Sequence, residues 1–201
     1  MMDFSTTSIT ELAAIVATHL REHDIDVVLV GGLAVEHYSE NIYLTRDIDM
    51  VDISYTKPAN LHKAMAEIGF EKIGRIFVNA STDITVEFPS PPISVGDELV
   101  TETTTMVTPA GELPVLAAID VIKDRLAAYI HWRDKPSLVQ ALAVLIKYPD
   151  EIEAIAAFCE NEGSEESMLL VRSLFATASQ RGLTDMEDLE KLLVERTLRS
   201  L

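Results

Sequence analysis

Apolar residues recur along the chain with two different periods, which predict a mixture of helices and strands. From Ser8 to Glu22 they return every three or four positions, as on the buried face of a helix. Ser8 and Glu11 have the spacing of a capping box at the start of that helix. Val27 to Val30 is instead a continuous apolar run rich in β-branched residues, which is typical of a buried strand.

The same two patterns continue through the middle of the sequence. The predicted elements are a helix that opens at Lys57-Pro58 and ends at Gly69, one or two short strands between Phe70 and Ala80, a strand from Asp83 to Phe88, and short strands at the edge of the sheet around Thr101–Thr105 and Gly111. Strands separated by helical segments predict an α/β (α+β) fold with a small mixed sheet and flanking helices.

The last third of the chain has helical periodicity throughout. A helix is predicted from Ala117 to Trp132, followed by a break near Pro136 and a second helix. Further helices are expected at Met168–Ser179 and Asp185–Leu198, which gives four or five in all. We therefore predict an α/β core at residues 1–116 and a helical C-terminal subdomain, packed on that core, at residues 117–201.

Composition limits the setting in which the protein works. The chain has 201 residues and one cysteine, Cys159, so an internal disulfide is excluded. No apolar run approaches the roughly 18 residues needed to span a bilayer, and the N-terminus has no signal-peptide pattern. These features predict a protein of the bacterial cytoplasm with no membrane partner.

The chain is strongly acidic, with a formal net charge of −17. A protein that holds nucleic acid over a wide surface is usually basic, so an extended RNA or DNA partner is disfavoured. Seven carboxylates and no lysine or arginine lie between Asp150 and Glu166. This acidic stretch predicts a solvated face, or else a surface for a cationic acceptor or a basic partner protein.

Two neighbouring motifs carry the candidate chemistry. Gly31-Gly32 follows the Val27–Val30 strand and precedes a segment of helical composition, so the turn between them would aim backbone N–H groups at one point, as a phosphate requires. Asp47 and Asp49 then alternate with Ile48 along the next predicted strand and therefore share one face. Paired carboxylates favour a cation, and oxygen ligands suit Mg²⁺.

Each of these motifs also has a plainer interpretation. The glycines could form an ordinary strand-to-helix turn, and the two aspartates could end a solvated strand. Thr45 and Arg46 are further candidates for the binding site, although Thr45 could instead bond within the loop, and Arg46 could reach a phosphate or pair with a neighbouring carboxylate.

A pair of histidines provides one further candidate. His19 and His23 are four residues apart on the first predicted helix, which is also metal-ligand spacing. No acidic or thiol partner motif accompanies them, so they are predicted to be surface histidines.

Gly-Gly after a strand, followed by Thr-x-Asp-x-Asp on the next strand, resembles the nucleotidyltransferase superfamily that includes DNA polymerase beta. More narrowly, the chain is similar to small bacterial nucleotidyltransferase-like proteins related to the abortive-infection toxin group. The resemblance implies that Gly31 and Gly32 cradle the triphosphate of an NTP substrate. It also implies that Asp47 and Asp49 hold two Mg²⁺ ions, and that the fold is nucleotidyltransferase-like.

The resemblance extends to three further positions. A third carboxylate is expected beside the aspartate pair; Glu87 matches it best and Asp83 second, although the family usually has aspartate. Lys123 matches a lysine that contacts the nucleotide phosphates, but it could instead be a surface lysine paired with Asp120. Gln140 stands near where the family would have an acidic residue, which departs from the pattern.

Two functions are consistent with these residues and with the resemblance. The first is a Mg²⁺-dependent nucleotidyltransferase that moves a nucleoside monophosphate from an NTP to the hydroxyl of an acceptor, with a small molecule or a protein favoured over extended nucleic acid. The second is a catalytically degenerate binding module of the same fold, such as a toxin–antitoxin component, with the acidic C-terminal helices as its interface.

Overall fold

A computed structural model of the protein describes residues 2–96, 98–100 and 102–198. The strands are β1 Val27–Val30, β2 Asp47–Asp52, β3 Glu71–Ile73, β4 Ile76–Asn79, β5 Thr82–Glu87, β6 Ser94–Val95, β7 Glu98–Leu99, β8 Thr103–Thr108 and β9 Gly111–Leu116. The helices are α1 Ile9–Arg21, α2 Gly31–Tyr38, α3 Pro58–Glu67, α4 Ala118–Trp132, α5 Lys135–Leu145, α6 Ile152–Glu162, α7 Glu165–Arg181 and α8 Met186–Leu198, with a 3₁₀ turn at Pro149–Glu151.

Seven strands form one mixed sheet in the order β3-β4-β5-β2-β1-β9-β8. β2 is antiparallel to β1 and parallel to β5, so it lies in the middle of the sheet. β6 and β7 form a separate two-stranded ribbon. This arrangement confirms the predicted mixed α/β architecture and places the Asp47–Asp49 motif on a central strand.

The helix predicted from Ser8 begins with the expected capping box. The Ser8 hydroxyl accepts a hydrogen bond from the backbone N–H of Glu11 at 3.3 Å. In return, the Glu11 carboxylate accepts one from the backbone N–H of Ser8 at 3.2 Å. The face predicted to be apolar is buried, including Leu12, Val16 and Leu20.

β9 occupies a different position from the one predicted. The threonine-rich segment and the segment after Gly111 were both expected at the edge of the sheet, but of these two strands, β8 and β9, only β8 lies at an edge. β9 pairs in parallel with β1, with Leu29 opposite Val115. This pairing is favourable because Leu113 and Val115 on β9 are fully buried.

The helical part of the chain departs from prediction at two places. The break expected near Pro136 falls earlier, at Arg133 and Asp134, where Arg133 has a left-handed φ of 55°. Pro136 is the second residue of α5, in the first turn, where its missing N–H needs no helical partner. α7 begins three residues before the predicted Met168, because Ser164 caps it by accepting a bond from Ser167.

The chain divides into two compact units. The first unit comprises Met1–Ala34, Thr45–Ser94 and Leu99–Ala117, and it contains the seven-stranded sheet with α1 and α3. The second unit comprises Val35–Leu44, Val95–Glu98 and Ala118–Leu201, and it contains the five described helices from α4 to α8, within the predicted four or five. No helix in the described residues is both long and apolar enough to cross a bilayer.

Candidate functional site

A glycine turn joins β1 to α2 at the predicted position. β1 ends at Val30, and Gly31 is the first residue of α2, so the helix begins two residues earlier than its composition predicted. Gly31 has a φ of 65°, a left-handed conformation that side chains other than glycine rarely adopt. A Cβ at Gly31 would lie 2.2 Å from Oδ2 of Asp49. The backbone conformation and the lack of space therefore both require glycine at position 31. Gly32 has no left-handed φ, so its backbone conformation does not require glycine.

Strand register explains why Asp49 reaches the glycine turn. Val30, the last residue of β1, pairs with Asp49 of β2 in antiparallel register. The carboxylate of Asp49 is thereby brought against Gly31, and it is half-buried. The glycine turn and the predicted metal-binding pair, Asp47 and Asp49, thus meet at one end of β1.

Three carboxylates share one face of the sheet beside this turn. The parallel pairing of β2 with β5 sets Asp47 opposite Thr85, and Asp49 opposite Glu87. Paired residues on neighbouring strands point to the same side. We call the side chains of Asp47, Asp49 and Glu87 the carboxylate face; Asp47 is exposed, and the other two are half-buried.

The opposite side of the same strands is apolar and fixes the register. Ile48, Met50 and Val86 have no exposed surface. A slip of one residue would bury the aspartates and expose these three side chains, at a large loss of hydrophobic burial. The alternation read from the sequence therefore does orient Asp47 and Asp49 together.

The two candidates for the third carboxylate differ in their surroundings. Glu87 lies directly opposite Asp49, and its side chain is 28% exposed. Asp83 lies at the other end of β5, where its exposed carboxylate accepts a hydrogen bond from the guanidinium of Arg46. The register therefore favours Glu87 as the companion of the aspartate pair.

The residues that precede β2 serve local structure. The hydroxyl of Thr45 accepts a hydrogen bond from the backbone N–H of Asp47 at 3.2 Å, which shapes the entry into the strand. Arg46 forms its ion pair with Asp83, the second of the two alternatives that the sequence left open.

Two further residues at the site were not singled out from the sequence. Thr85 donates its hydroxyl hydrogen to Oδ1 of Asp47 at 2.7 Å. Arg75, from the β3–β4 turn, places Nε 3.6 Å from Oε1 of Glu87. The sequence could have indicated Thr85, because a residue two positions before Glu87 on a strand lies on the same face. It could not have indicated Arg75, because the approach of Arg75 to Glu87 depends on how the β3–β4 hairpin packs.

The donor set of the carboxylate face suits Mg²⁺. It offers hard oxygen ligands only, which this ion prefers. The like charges of Asp47, Asp49 and Glu87 repel one another, and a shared cation would relieve that repulsion. In the described residues, the oxygens of all three do not lie within 4.8 Å of one another, so together they are spaced more widely than a single ion's ligands.

The second unit holds two further positions from the family resemblance: Lys123, which matches it, and Gln140, which departs from it. Lys123 on α4 places Nζ 3.2 Å from Oε2 of Glu98 and 5.6 Å from the centre of the Phe158 ring. Gln140 on α5 is buried, and within the described chain its Oε1 has no hydrogen-bond partner. An acidic side chain at that position would be similarly buried.

His19 is half-buried and His23 exposed, and the pair has a neighbour that the sequence did not show. An acidic partner does accompany His19 and His23, because α3 brings Glu67 beside them. Glu67 is far from both histidines in sequence, so local spacing could not show it.

Comparison with known proteins adds information on the fold. No protein-family model matches the sequence, and no curated protein does so. The crystal structure of an antigenic nucleotidyltransferase-like protein from Paracoccidioides brasiliensis superposes with a TM-score of 0.57 and 14% sequence identity, covering 92% of this chain and 94% of that one. The protein has a nucleotidyltransferase-like fold.

A second solved structure is similar over most of its length. The solution structure of the antibiotic-resistance factor ANT(2'')-Ia covers 90% of this chain and 96% of its own, with a TM-score of 0.42 and 17% identity. The narrower resemblance to the abortive-infection toxin group stays a prediction.

Proposed function

We propose that the protein transfers a nucleoside monophosphate from an NTP to the hydroxyl of an acceptor in a Mg²⁺-dependent reaction, in which a bond from the acceptor oxygen to the α-phosphate replaces the bond to the β-phosphate and pyrophosphate leaves. The observation that carries the proposal is the contact between Gly31 and Asp49, which joins a phosphate-type turn to a carboxylate pair. The nucleotidyltransferase-like fold supports the same reaction class. Neither feature alone would distinguish this site from an ordinary strand-to-helix connection.

The glycine turn would hold the triphosphate. The first N–H groups of a helix have no partners within it, and the helix dipole adds partial positive charge at that end. Gly31 and Gly32 carry no side chains that would keep a phosphate from approaching the start of α2. We assign the phosphate contacts to these two residues; a phosphate contact of Lys123 stays a prediction of the family resemblance.

The carboxylate face would hold the metal. Asp47 and Asp49 would be shared ligands, and Glu87 would complete one side of the site and accept the proton of the acceptor hydroxyl. Bound Mg²⁺ would neutralise the triphosphate and lower the pKa of the attacking hydroxyl. The hydrogen bond from Thr85 would hold the Asp47 carboxylate in place, so that little reorganisation is needed during the reaction.

The acceptor is proposed to be a small molecule or a protein. The net charge of −17 disfavours a polyanion at long range, and it leaves room for one nucleotide in a local pocket. On sequence grounds we place the reaction in the bacterial cytoplasm.

The transfer assay uses NTPs labelled at the α-phosphate, with Mg²⁺ and a panel of small hydroxyl compounds and proteins. We expect Asp47→Asn to lower label transfer by about a hundredfold or more, the scale on which one electrostatic contact acts in catalysis. Far-UV circular dichroism should be unchanged, because Asp47 is exposed.

A matched control tests whether the effect belongs to the carboxylate face. Asp83→Asn removes a carboxylate from the neighbouring strand β5 that pairs with Arg46 instead. Its activity should remain close to that of the wild type. Transfer that survives Asp47→Asn would contradict the assignment.

A second function, an interaction module without catalysis, is favoured by the second unit. Glu98 already neutralises Lys123, and Gln140 is neutral where an acidic residue would be expected. In this case α6 and α7, which carry most of the acidic stretch, would bind a basic partner protein. Thermal unfolding distinguishes the two functions. Added NTP and Mg²⁺ should raise the melting temperature of the protein only if it has a nucleotide site.

A further inference from the structure

Two histidines and a glutamate from different helices form a cluster in the first unit. His19 and His23 lie one turn apart on the C-terminal part of α1 and just beyond it, and their ring centres are 4.6 Å apart. Glu67 is the last residue of α3. One potential ligand atom from each of the three residues lies within 4.8 Å of the other two, which no other group of three such residues in the described chain achieves.

The hydrogen bond of His19 fixes which ring nitrogen is available. Its Nε2 lies 2.8 Å from the carbonyl oxygen of Ala64. A carbonyl oxygen only accepts hydrogen bonds, so Nε2 must carry the hydrogen. In the neutral ring, Nδ1 then keeps its lone pair. Histidines that bind metals usually donate their other N–H to a carbonyl or a carboxylate in this way.

The contact between His23 and Glu67 supplies the anionic ligand. Nε2 of His23 lies 2.7 Å from Oε2 of Glu67. A glutamate side chain is ionised at neutral pH, so Glu67 can act as an anionic ligand. Both side chains are partly exposed, at 31% and 44%, and they can rotate without disturbing the core.

We propose that His19, His23 and Glu67 bind a divalent transition-metal ion, for which Zn²⁺ is the best match, and thereby join α1 to α3. Two imidazoles and one carboxylate are a ligand set typical of Zn²⁺, with a water in the fourth position. Tetrahedral bonds of about 2.1 Å place the ligand atoms about 3.4 Å apart. The metal would replace the hydrogen between Nε2 of His23 and Oε2 of Glu67, and these two partly exposed side chains would turn to widen their 2.7 Å spacing.

This site differs in chemistry from the carboxylate face. Imidazole ligands suit Zn²⁺, Cu²⁺ and Ni²⁺, whereas Mg²⁺ prefers oxygen. The ammonium of Lys63 also lies near Glu67, but it is exposed and can turn into solvent when a cation binds. The two sites can therefore be occupied by different metals at the same time.

The test is calorimetric titration of Zn²⁺ into the full chain, purified without a histidine tag, in excess Mg²⁺ to occupy oxygen-only sites. We expect binding of one Zn²⁺ that raises the melting temperature, because the metal binds only the folded arrangement. In His23→Gln the dissociation constant should rise tenfold or more. Glu67→Gln keeps both histidines but removes the carboxylate, and it should also raise the dissociation constant for Zn²⁺.

His131→Gln is the matched control. His131 also bonds to a glutamate, with Nε2 2.6 Å from Oε1 of Glu162, but no second histidine in the described chain accompanies it. This variant should bind Zn²⁺ as the wild type does. The proposal is overturned if His23→Gln and Glu67→Gln leave the affinity unchanged, if His131→Gln lowers it equally, or if the wild type binds no Zn²⁺ at micromolar concentration.

Discussion

The left-handed backbone of Gly31 and the carboxylate of Asp49 lie in contact at the end of β1. The contact leaves no space for a side chain at position 31. It also means that any change at Gly31 acts on a predicted metal ligand as well as on the turn. The residue therefore links the conformation of the phosphate-type turn to the position of the carboxylate face.

Replacing Gly31 by alanine should destabilise the protein and displace Asp49. The left-handed φ alone costs a residue with a Cβ about 1–2 kcal/mol, and the overlap with Asp49 adds to this. Gly74→Ala is the control, because Gly74 has a φ of 62° but nothing within 4 Å of its Cβ position. Urea unfolding should show a larger loss for Gly31→Ala. Equal losses in the two variants would mean that the contact with Asp49 is unimportant.

At the scale of single residues, the sequence predicted to which side of a strand a side chain points better than it predicted which residues the side chain contacts. Alternation with Ile48 was enough to place Asp47 and Asp49 on one face, because strand periodicity is local. The contact between Gly31 and Asp49 depends on the register of β1 with β2, which no local pattern specifies. Glu67 was missed beside the histidines for the same reason, since it lies on another helix.

α5 is the most deeply buried of the helices in the described chain. Every residue from Ser137 to Leu145 is buried, and Gln140 is the one long polar side chain among them. Its Oε1 lacks a hydrogen-bond partner within the described residues. An unsatisfied buried acceptor destabilises the folded state, so this position is not optimised for stability.

Gln140→Met should therefore stabilise the protein. Methionine has a similar shape and removes the unsatisfied acceptor, for an expected gain of about 1 kcal/mol in the free energy of unfolding. Gln140→Glu keeps the shape but buries a charge, and it should be destabilising. Chemical unfolding followed by circular dichroism measures both. A loss of stability in Gln140→Met would indicate that the amide makes a contact important for the fold.

The start of α1 was predicted correctly, whereas the break near Pro136 and the start of α7 were each misplaced by two or three residues. Ser8 and Glu11 marked the start of α1 correctly, because both partners of a capping box lie within one turn. The sequence placed β9 at an edge, although it pairs with β1 inside the sheet. Strand order is set by long-range pairing, and two short strands joined by a hairpin turn give no indication of which one faces the sheet.

Charge is the property of the whole molecule that bears most on its partners. Part of the acidic stretch is already hydrogen-bonded within the second unit: Arg172 donates to both carboxylate oxygens of Glu153, and Nε2 of His131 lies 2.6 Å from Oε1 of Glu162. The net charge of −17 nevertheless remains. A single nucleotide with its Mg²⁺ carries far less charge than a polynucleotide, so long-range repulsion opposes it less.

Calorimetric titration with nucleotide is the decisive experiment for the proposed site. Each of the four NTPs, with Mg²⁺, is titrated into the wild type and into an Asp47→Asn, Asp49→Asn double variant. We predict metal-dependent binding of at least one NTP by the wild type and its loss in the double variant, while Asp83→Asn binds normally. Absence of binding by the wild type at millimolar NTP, or equal binding by the double variant, would contradict the proposed nucleotide site.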